Sequence, residues 1–184
     1  MATEYSFDEQ LVMSQGVAVE NDVAAILLQK IPGAVAVHSA HRTNDRQGTD
    51  YWVEHARGTH LSVDVKVRKE DYAAKPEPDR ADDLALETWS VVDKKIGWTR
   101  DPSKRTDFVL WVWKDTGRWC LLPFPILCQV FQENWQDWSI CYDTRRQYTP
   151  EYGGYCSECI FVPRLVVWDA IYRQYSGNPQ EACT

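Results

Sequence analysis

The chain has 184 residues, 44% of them hydrophobic and 26% charged, which is the composition of a globular protein long enough to bury a core without disulfides. Its formal net charge of −7 counts against a large basic surface for nucleic acid. The sequence contains no run of eighteen apolar residues, and it opens with neither a basic nor an apolar signal-peptide region. We therefore expect one cytoplasmic domain, residues 1–184, that does not enter a membrane.

The first predicted element is a helix over Val17–Ile31, because apolar residues recur at helical spacing and Pro32 follows directly. Glu20 lies on or beside that apolar stripe, where a carboxylate needs a partner. It is therefore either a member of a functional site or a glutamate exposed at the helix edge. A short apolar strand, Ala34–His38, and a polar loop over residues 40–48 follow.

The next stretch predicts a β-hairpin. Its first arm, Thr49–Glu54, is rich in aromatic and β-branched residues, and its second arm, Leu61–Arg68, alternates strictly between apolar and polar residues. Alternation predicts a strand with one face buried and the other displayed, so Asp64 and Lys66 are neighbours on the polar face, about 7 Å apart. We expect pairing of the two arms to bring Asp50 close to Asp64.

Two converging carboxylates on a sheet have a chemical use. With the backbone carbonyl of Val65, Asp50 and Asp64 offer hard oxygen ligands for one or two Mg²⁺ ions. Such a metal polarises a phosphoryl oxygen and lowers the pKa of a bound water, while Lys66 can orient that water or offset developing charge. A separation of the two carboxylates beyond about 8 Å would exclude a shared metal cluster.

This hairpin resembles the D…(D/E)xK motif of the PD-(D/E)XK nuclease superfamily, because Asp50 is followed, after thirteen residues, by Asp64-Val65-Lys66. The proline of the superfamily's name is absent. The lead-in, residues 45–49, is also similar to the superfamily's. The resemblance implies a restriction-endonuclease-like α/β fold, an αβββαβ core whose mixed central sheet is flanked by helices, with Mg²⁺ or Mn²⁺ as cofactor. It implies catalytic roles for Asp50, Asp64 and Lys66, metal ligation by Asp50, Asp64 and Val65, and a glutamate from the first helix, here Glu20. Cutting of both DNA strands by such enzymes implies a homodimer.

A second stretch carries the same resemblance. The run ALETWS…GW…TDFVLWVW…TGRW…LLPF, within residues 85–124, is similar to uncharacterised phage and mobile-element proteins grouped with PD-(D/E)XK nucleases. Together the two stretches extend the resemblance from residue 15 to about residue 170.

The rest of the chain alternates predicted loops, strands and helices. Residues 70–83 form a charged loop and Leu84–Val92 a strand, on which Glu87 either joins the metal site or is a solvated residue. The nearly continuous apolar run Asp107–Trp113 predicts a strand buried on both faces, followed through a turn by Arg118–Leu122. The remaining predictions are a helix from Pro125 to Trp138, a loop from Ser139 to Val162, and a helix from Pro163 to Tyr175 with an amphipathic pattern that includes Leu165, Val166, Trp168, Ala170, Ile171 and Tyr172.

The segment Lys94–Arg105 is the most basic window of the acidic chain, and it contains Gly97-Trp98. Basic and aromatic side chains of this kind contact phosphates and stack on bases. We therefore expect nucleic-acid contacts, against the alternative of a solvated loop, from Lys94, Lys95, Trp98, Arg100, Lys104 and Arg105.

Other constellations carry less information. Cys156 and Cys159 have the CxxC spacing of half a zinc site or a redox pair, but zinc needs two more ligands and only the isolated Cys128 and Cys141 are candidates. In a cytoplasmic chain the cysteines are expected to be reduced. The four histidines lack the usual metal-binding spacings. No phosphate-binding glycine motif or serine-hydrolase motif is present, so no nucleotide cofactor is expected.

These observations predict a metal-dependent DNA endonuclease with DNA as its partner. The alternative from another class is a catalytically silent nuclease-fold binding module or inhibitor protein of a phage or mobile element, which the acidic charge favours. A third interpretation, a tryptophan-rich single-strand binder, requires exposed indoles at Trp52, Trp89 and Trp98.

Overall fold

The computed structural model describes residues 23–40, 48–75, 82–150 and 154–176. In these ranges the protein is mixed α/β, and two 3₁₀ turns, Tyr72–Ala74 and Trp98–Arg100, lie in its connections. The main elements follow one another in the order α1 (Val23–Lys30), β1 (Ala34–Ser39), β2 (Tyr51–His55), β3 (His60–Arg68), β4 (Asp83–Val91), β5 (Lys95–Ile96), β6 (Phe108–Trp113), β7 (Trp119–Pro123), α2 (Phe124–Cys141), β8 (Thr144–Thr149), β9 (Tyr155–Pro163) and α3 (Arg164–Ser176).

The chain forms two compact units. The first comprises Met1–Ala74 and Ser103–Phe124, and the second comprises Lys75–Pro102 and Pro125–Thr184. The expectation of a single domain stays a prediction, because compactness does not show whether either unit folds alone.

The first unit contains a mixed five-stranded sheet in the order β1-β2-β3-β6-β7. Neighbouring strands are antiparallel except β3 and β6, which run parallel. The predicted hairpin is confirmed, with Tyr51 opposite Val63 and Glu54 opposite His60. The predicted strands at Ala34–His38, Asp107–Trp113 and Arg118–Leu122 are confirmed as β1, β6 and β7.

One face of this sheet packs against α1. Val23, Leu27 and Ile31 project from the helix side at the expected helical spacing. They share a buried cluster with Val53, Val63, Val65, Leu110 and Val112. Burying each such side chain stabilises the fold by about 1.5–3 kcal/mol. The helix prediction is confirmed for Val23–Lys30, whereas its first turns, including Glu20, lie outside the described residues.

The polar face of β3 is not displayed along its whole length, and that part of the prediction is wrong. Ser62 and Asp64 are both buried, while Lys66 and Arg68 are half-buried. These residues are buried because β3 lies third in the sheet and pairs in parallel with β6. Strands of parallel pairs are usually covered on both faces. Asp64 and Lys66 therefore occupy a sheltered environment rather than open solvent.

The second unit contains a four-stranded antiparallel sheet in the order β5-β4-β9-β8. The predicted strand Leu84–Val92 is confirmed as β4, but the predicted loop from Ser139 to Val162 is wrong, because β8 and β9 lie within it. β8 is an exposed edge strand whose residues are mostly charged or polar, so it shows no apolar alternation. β9 is an inner strand, but in the middle of its sequence cysteines, Ser157 and Glu158 occupy positions where apolar residues would have revealed a strand.

Both C-terminal helix predictions are confirmed, by α2 and α3. The predicted apolar face of α3 is only partly correct, because the buried residues are Val167 and Ile171 whereas Leu165 and Tyr172 are exposed. In the part of the chain that the structure describes, no helix combines the length and the apolarity needed to cross a bilayer.

Candidate active site

Asp50 is anchored at the point where the hairpin opens. Its backbone N–H donates to the carbonyl of Val63 at 2.9 Å, which extends the pairing of the two arms by one residue. Its side-chain Oδ2 then accepts the backbone N–H of Val65 at 2.7 Å. Backbone and side chain of Asp50 are thus both fixed to β3, and its carboxyl group lies against the strand that carries Asp64.

The carboxyl groups of Asp50 and Asp64 interact, and Lys66 contacts the second of them. The Asp64 carboxylate repels that of Asp50, and a protonated Asp50 can donate a hydrogen bond to Asp64. Nζ of Lys66 lies 2.7 Å from Oδ2 and 2.9 Å from Oδ1 of Asp64. Asp64 is only 7% exposed, so this ion pair is sheltered from water. The structure therefore brings Asp50, Asp64 and Lys66 together in the first unit.

The electrostatics of the pair follow from this geometry. Burial first, and then repulsion from Asp64, raise the pKa of Asp50 from an ordinary 3.8 to about 7. The hydrogen bond from Val65 and the charge of Lys66 lower that pKa, but they do not offset the burial and the repulsion. A neighbouring carboxylate pair of this kind carries excess negative charge that a proton or a cation relieves.

The turn that delivers Asp50 requires a glycine. Gly48 has a φ of +85°, and a Cβ there would lie 2.7 Å from Oγ1 of Thr106 and 3.4 Å from Cδ of Lys104. Thr106 donates its hydroxyl to the Gly48 carbonyl at 2.5 Å. The aliphatic stem of Lys104 therefore lies beside the turn that precedes Asp50.

A second set of contacts fixes the segment before β6 to β3, and sequence reasoning missed it. Oδ2 of Asp107 accepts the backbone N–H of Ser62 at 2.7 Å, and Oγ of Ser62 lies 2.8 Å from the Arg105 carbonyl. The sequence features that could have indicated these contacts were a serine on the polar face of β3 and an aspartate at the start of a buried strand. These bonds place Lys104 and Arg105 in the same unit as Asp50 and Asp64.

The other predicted nucleic-acid residues belong to the second unit. Lys94 and Lys95 are exposed at the turn into β5, and Trp98 is half-buried. The guanidinium carbon of Arg100 lies 4.9 Å from the ring centroid of Trp89 and 4.2 Å from that of Trp135, and burial lowers its pKa. Arg100 thus packs between two indoles in this structure.

Glu87 also belongs to the second unit. Its Oε2 accepts the backbone N–H of Trp98 at 2.9 Å and the hydroxyl of Ser90 at 2.7 Å. The carboxylate is therefore used to fix the 3₁₀ turn that follows β5.

The indoles that a single-strand binder would need are not fully exposed. Trp52, Trp89 and Trp98 are each half-buried, and Arg100 covers one face of Trp89. The requirement of that third interpretation is not met.

The CxxC spacing falls within β9. Residues three apart on a strand point to opposite faces and lie roughly 10 Å apart, beyond the span of a disulfide. Cys156 and Cys159 therefore do not share a zinc or redox site in this fold.

The donor set at the hairpin consists of two carboxylates and a backbone carbonyl. Among the residues that the structure describes, no group of three or more His, Cys, Asp or Glu side chains is arranged to hold a metal ion. The buried carboxylate of Asp64 and the half-buried one of Asp50 nonetheless have the hard-oxygen chemistry that suits Mg²⁺ or Mn²⁺. Comparisons of the chain with protein-family models, with curated proteins and with solved structures found no match.

Proposed function

We propose that the protein is a metal-dependent nuclease of the PD-(D/E)XK type that hydrolyses phosphodiester bonds in DNA. The observation that carries the proposal is the interaction of Asp50, the residue directly before β2, with Asp64 on β3, together with the ion pair from Lys66 to Asp64. These are the three residues whose order in the chain resembles the D…DxK motif, and the fold joins them although thirteen residues separate the two aspartates.

The metal would be Mg²⁺ or Mn²⁺, held by Asp50, Asp64 and the carbonyl of Val65. The N–H of Val65 points towards Asp50, and in a strand the N–H and C=O of one residue point to the same side. The carbonyl of Val65 therefore lies on the side of β3 that faces Asp50. When bound, the metal supplies Lewis-acid activation of a water and of the phosphate.

Lys66 is placed to position that water or to offset the negative charge that develops on the phosphate. For either role its ammonium group has to share Asp64 with the metal or leave it. Glu20 as a further member of the site stays a prediction, since residues 1–22 are not described.

The order of elements in the first unit is consistent with the αβββαβ core, with one exception. Helix α1, three antiparallel strands β1–β3 and a strand parallel to β3 follow in the expected order. The described part of the connection from β3 to β6, however, runs through β4, β5 and two 3₁₀ turns rather than through an α-helix. The connection thus supplies strands to the second unit at a point where the superfamily core has a helix.

DNA contacts would begin at Lys104 and Arg105. Both lie on the segment that Thr106 and Asp107 tie to Gly48 and Ser62 in the unit that carries the carboxylates. Cationic side chains at this position can meet the phosphates that flank a scissile bond. Lys94 and Lys95, on the second unit, remain further candidates.

The test is a cleavage assay on supercoiled plasmid and on labelled branched and single-stranded oligonucleotides, with Mg²⁺, Mn²⁺ or EDTA. Asp64→Asn and Lys66→Met should lose activity, whereas Glu54→Gln, which changes a half-exposed acid on the neighbouring strand β2, should retain it. Cutting that survives both site substitutions would come from another enzyme and would refute the proposal.

The second candidate is a catalytically silent binding module or inhibitor, and the net charge of −7 favours it. It predicts that the purified protein cuts none of these substrates with any metal, and that it instead binds a protein partner through an acidic face.

A further inference from the structure

Helix α3 carries an apolar face that the described residues of its own unit leave exposed. Val167 and Ile171 are buried, one turn apart. On another side of the helix four large side chains form a second row, which we call the α3 stripe. Its members and their exposed fractions are Leu165 (74%), Trp168 (39%), Tyr172 (67%) and Tyr175 (67%).

The α3 stripe is large enough to need an explanation. Side chains of this size present 150–250 Å² each, so at these exposures the stripe leaves roughly 500 Å² of largely apolar surface in water. Patches of about 300–600 Å² are the largest that monomers usually expose, and they commonly mark interaction sites. Single exposed apolar residues need no such account, but four in one row do.

The spacing of the stripe indicates the shape of its partner. Its members follow one another at intervals of three, four and three residues, which is the spacing of a helix seam that packs against another helix. The intervals also read the same in both directions. A two-fold axis at the level of Ala170 would therefore set Leu165 of one helix opposite Tyr175 of the other, and Trp168 opposite Tyr172.

We propose that the α3 stripe binds the α3 stripe of a second copy of this chain, with the two helices antiparallel. The paired surface would bury about 1,000 Å² in total, which is the lower limit for a specific interface, so the dimer forms reversibly and depends on concentration. The charges of Asp169 and Arg173 do not oppose this pairing of the helices, because the two residues form an ion pair within each helix. The interface uses second-unit residues only and does not depend on the proposed metal site.

The experiment is sedimentation equilibrium of the full chain from about 1 to 100 µM, a range in which a weak dimer dissociates. Wild type should shift from monomer to dimer. The variant Leu165→Lys should weaken association by about tenfold or more, because a charge would be buried against Tyr175. The control is Ile140→Lys, which places the same charge on an 83% exposed apolar residue of α2 outside the stripe and should leave association unchanged.

A second variant tests the antiparallel register. In the combination Leu165→Lys with Tyr175→Glu, each new charge would face its opposite across the axis, so association should recover relative to Leu165→Lys alone. A parallel pair would set lysine against lysine and would show no recovery. Circular dichroism checks that each variant is folded.

Three outcomes would overturn the proposal. They are a wild-type protein that stays monomeric throughout the range, an association that Leu165→Lys does not weaken, and a double variant that associates no better than the single one. Because none of these readouts involves cleavage, failure of the nuclease proposal would leave this test intact.

Discussion

The ammonium group of Lys66 contacts both oxygens of the Asp64 carboxylate, at 2.7 Å and 2.9 Å. The pair occupies the polar face of β3, where Asp64 is buried. A cation that binds Asp64 therefore competes with Lys66 for the same carboxylate. The lysine that the proposed chemistry needs is at the same time an electrostatic obstacle to the metal.

The first prediction separates these two effects of Lys66. Replacing it with methionine keeps the aliphatic stem and removes the charge, so Mn²⁺ should bind several-fold more tightly because repulsion and competition are lost. Cleavage should nevertheless fall by about 10²–10³-fold, because the group that stabilises developing charge is gone. Calorimetric titration with Mn²⁺ and the cleavage rate check the two halves. A weaker Mn²⁺ affinity in this variant would contradict the account.

The second prediction concerns pH. Burial and the neighbouring Asp64 raise the folded-state pKa of Asp50 to about 7, above its ordinary 3.8. The folded protein therefore binds this proton more tightly than the unfolded chain does, and the resulting stability is complete below pH 3.8 and is lost as pH rises towards 7. Urea denaturation in EDTA should show the stability of wild type falling between pH 5 and pH 8 more steeply than that of Asp50→Asn. Equal slopes would contradict the assignment.

The third prediction concerns a structural ion pair in the first unit. Asp71 is buried and accepts Nε and Nη2 of Arg118 at 2.6 Å and 2.7 Å, while Arg118 also lies over the ring of Trp113. Burial raises the pKa of Asp71, but hydrogen bonds from Arg118 and Thr116 outweigh it and leave the pKa below its usual value. Arg118→Ala should cost about 3 kcal/mol of unfolding free energy because it leaves a buried carboxylate unpaired.

The control for that pair is Arg145→Ala, which breaks an exposed ion pair with Asp143 in the second unit. Exposed pairs contribute about 1 kcal/mol or less. Urea denaturation of both variants measures the difference. Equal losses would show that Asp71 is not buried in solution as it is here.

The fourth prediction uses two glycines with similar backbone angles. Gly48 and Gly58 both have positive φ, +85° and +76°, but an added Cβ meets Thr106 at the first and nothing within 4 Å at the second. Gly58→Ala should cost about 1 kcal/mol of stability and leave cleavage unchanged. Gly48→Ala should cost more and should also reduce cleavage at least about tenfold, because the turn it strains positions Asp50. If both variants cut at the wild-type rate, the turn does not position the site.

The sequence predicted the first unit well because its signals are local. Alternation in Leu61–Arg68 and the apolar run before Trp113 each indicate a strand without help from the rest of the chain. The closeness of Asp50 to Asp64 also follows from hairpin pairing. What the sequence could not show is that β3 is covered on both faces, because burial of Asp64 depends on parallel pairing with β6, some 40 residues away along the chain.

The second unit was less predictable for a related reason. β8 is a charged edge strand, and β9 is an inner strand with serine, glutamate and cysteines in its middle, so neither has the apolar pattern of a strand. β9 forms by pairing with β4, and β8 forms by pairing with β9. The local sequence of a strand does not show which strand it pairs with. The same limit applies to Arg100, whose place between Trp89 and Trp135 depends on residues distant along the chain.

The most direct measurement is the rate of plasmid cleavage by wild type and Asp64→Asn, prepared identically and compared across a Mg²⁺ titration. We predict that the wild-type rate rises with Mg²⁺ and vanishes in EDTA, and that Asp64→Asn is slower by about 10³-fold, equivalent to about 4 kcal/mol of lost transition-state stabilisation. Equal rates for the two proteins, or cutting that persists in EDTA, would contradict the claim that Asp50 and Asp64 form the catalytic metal site.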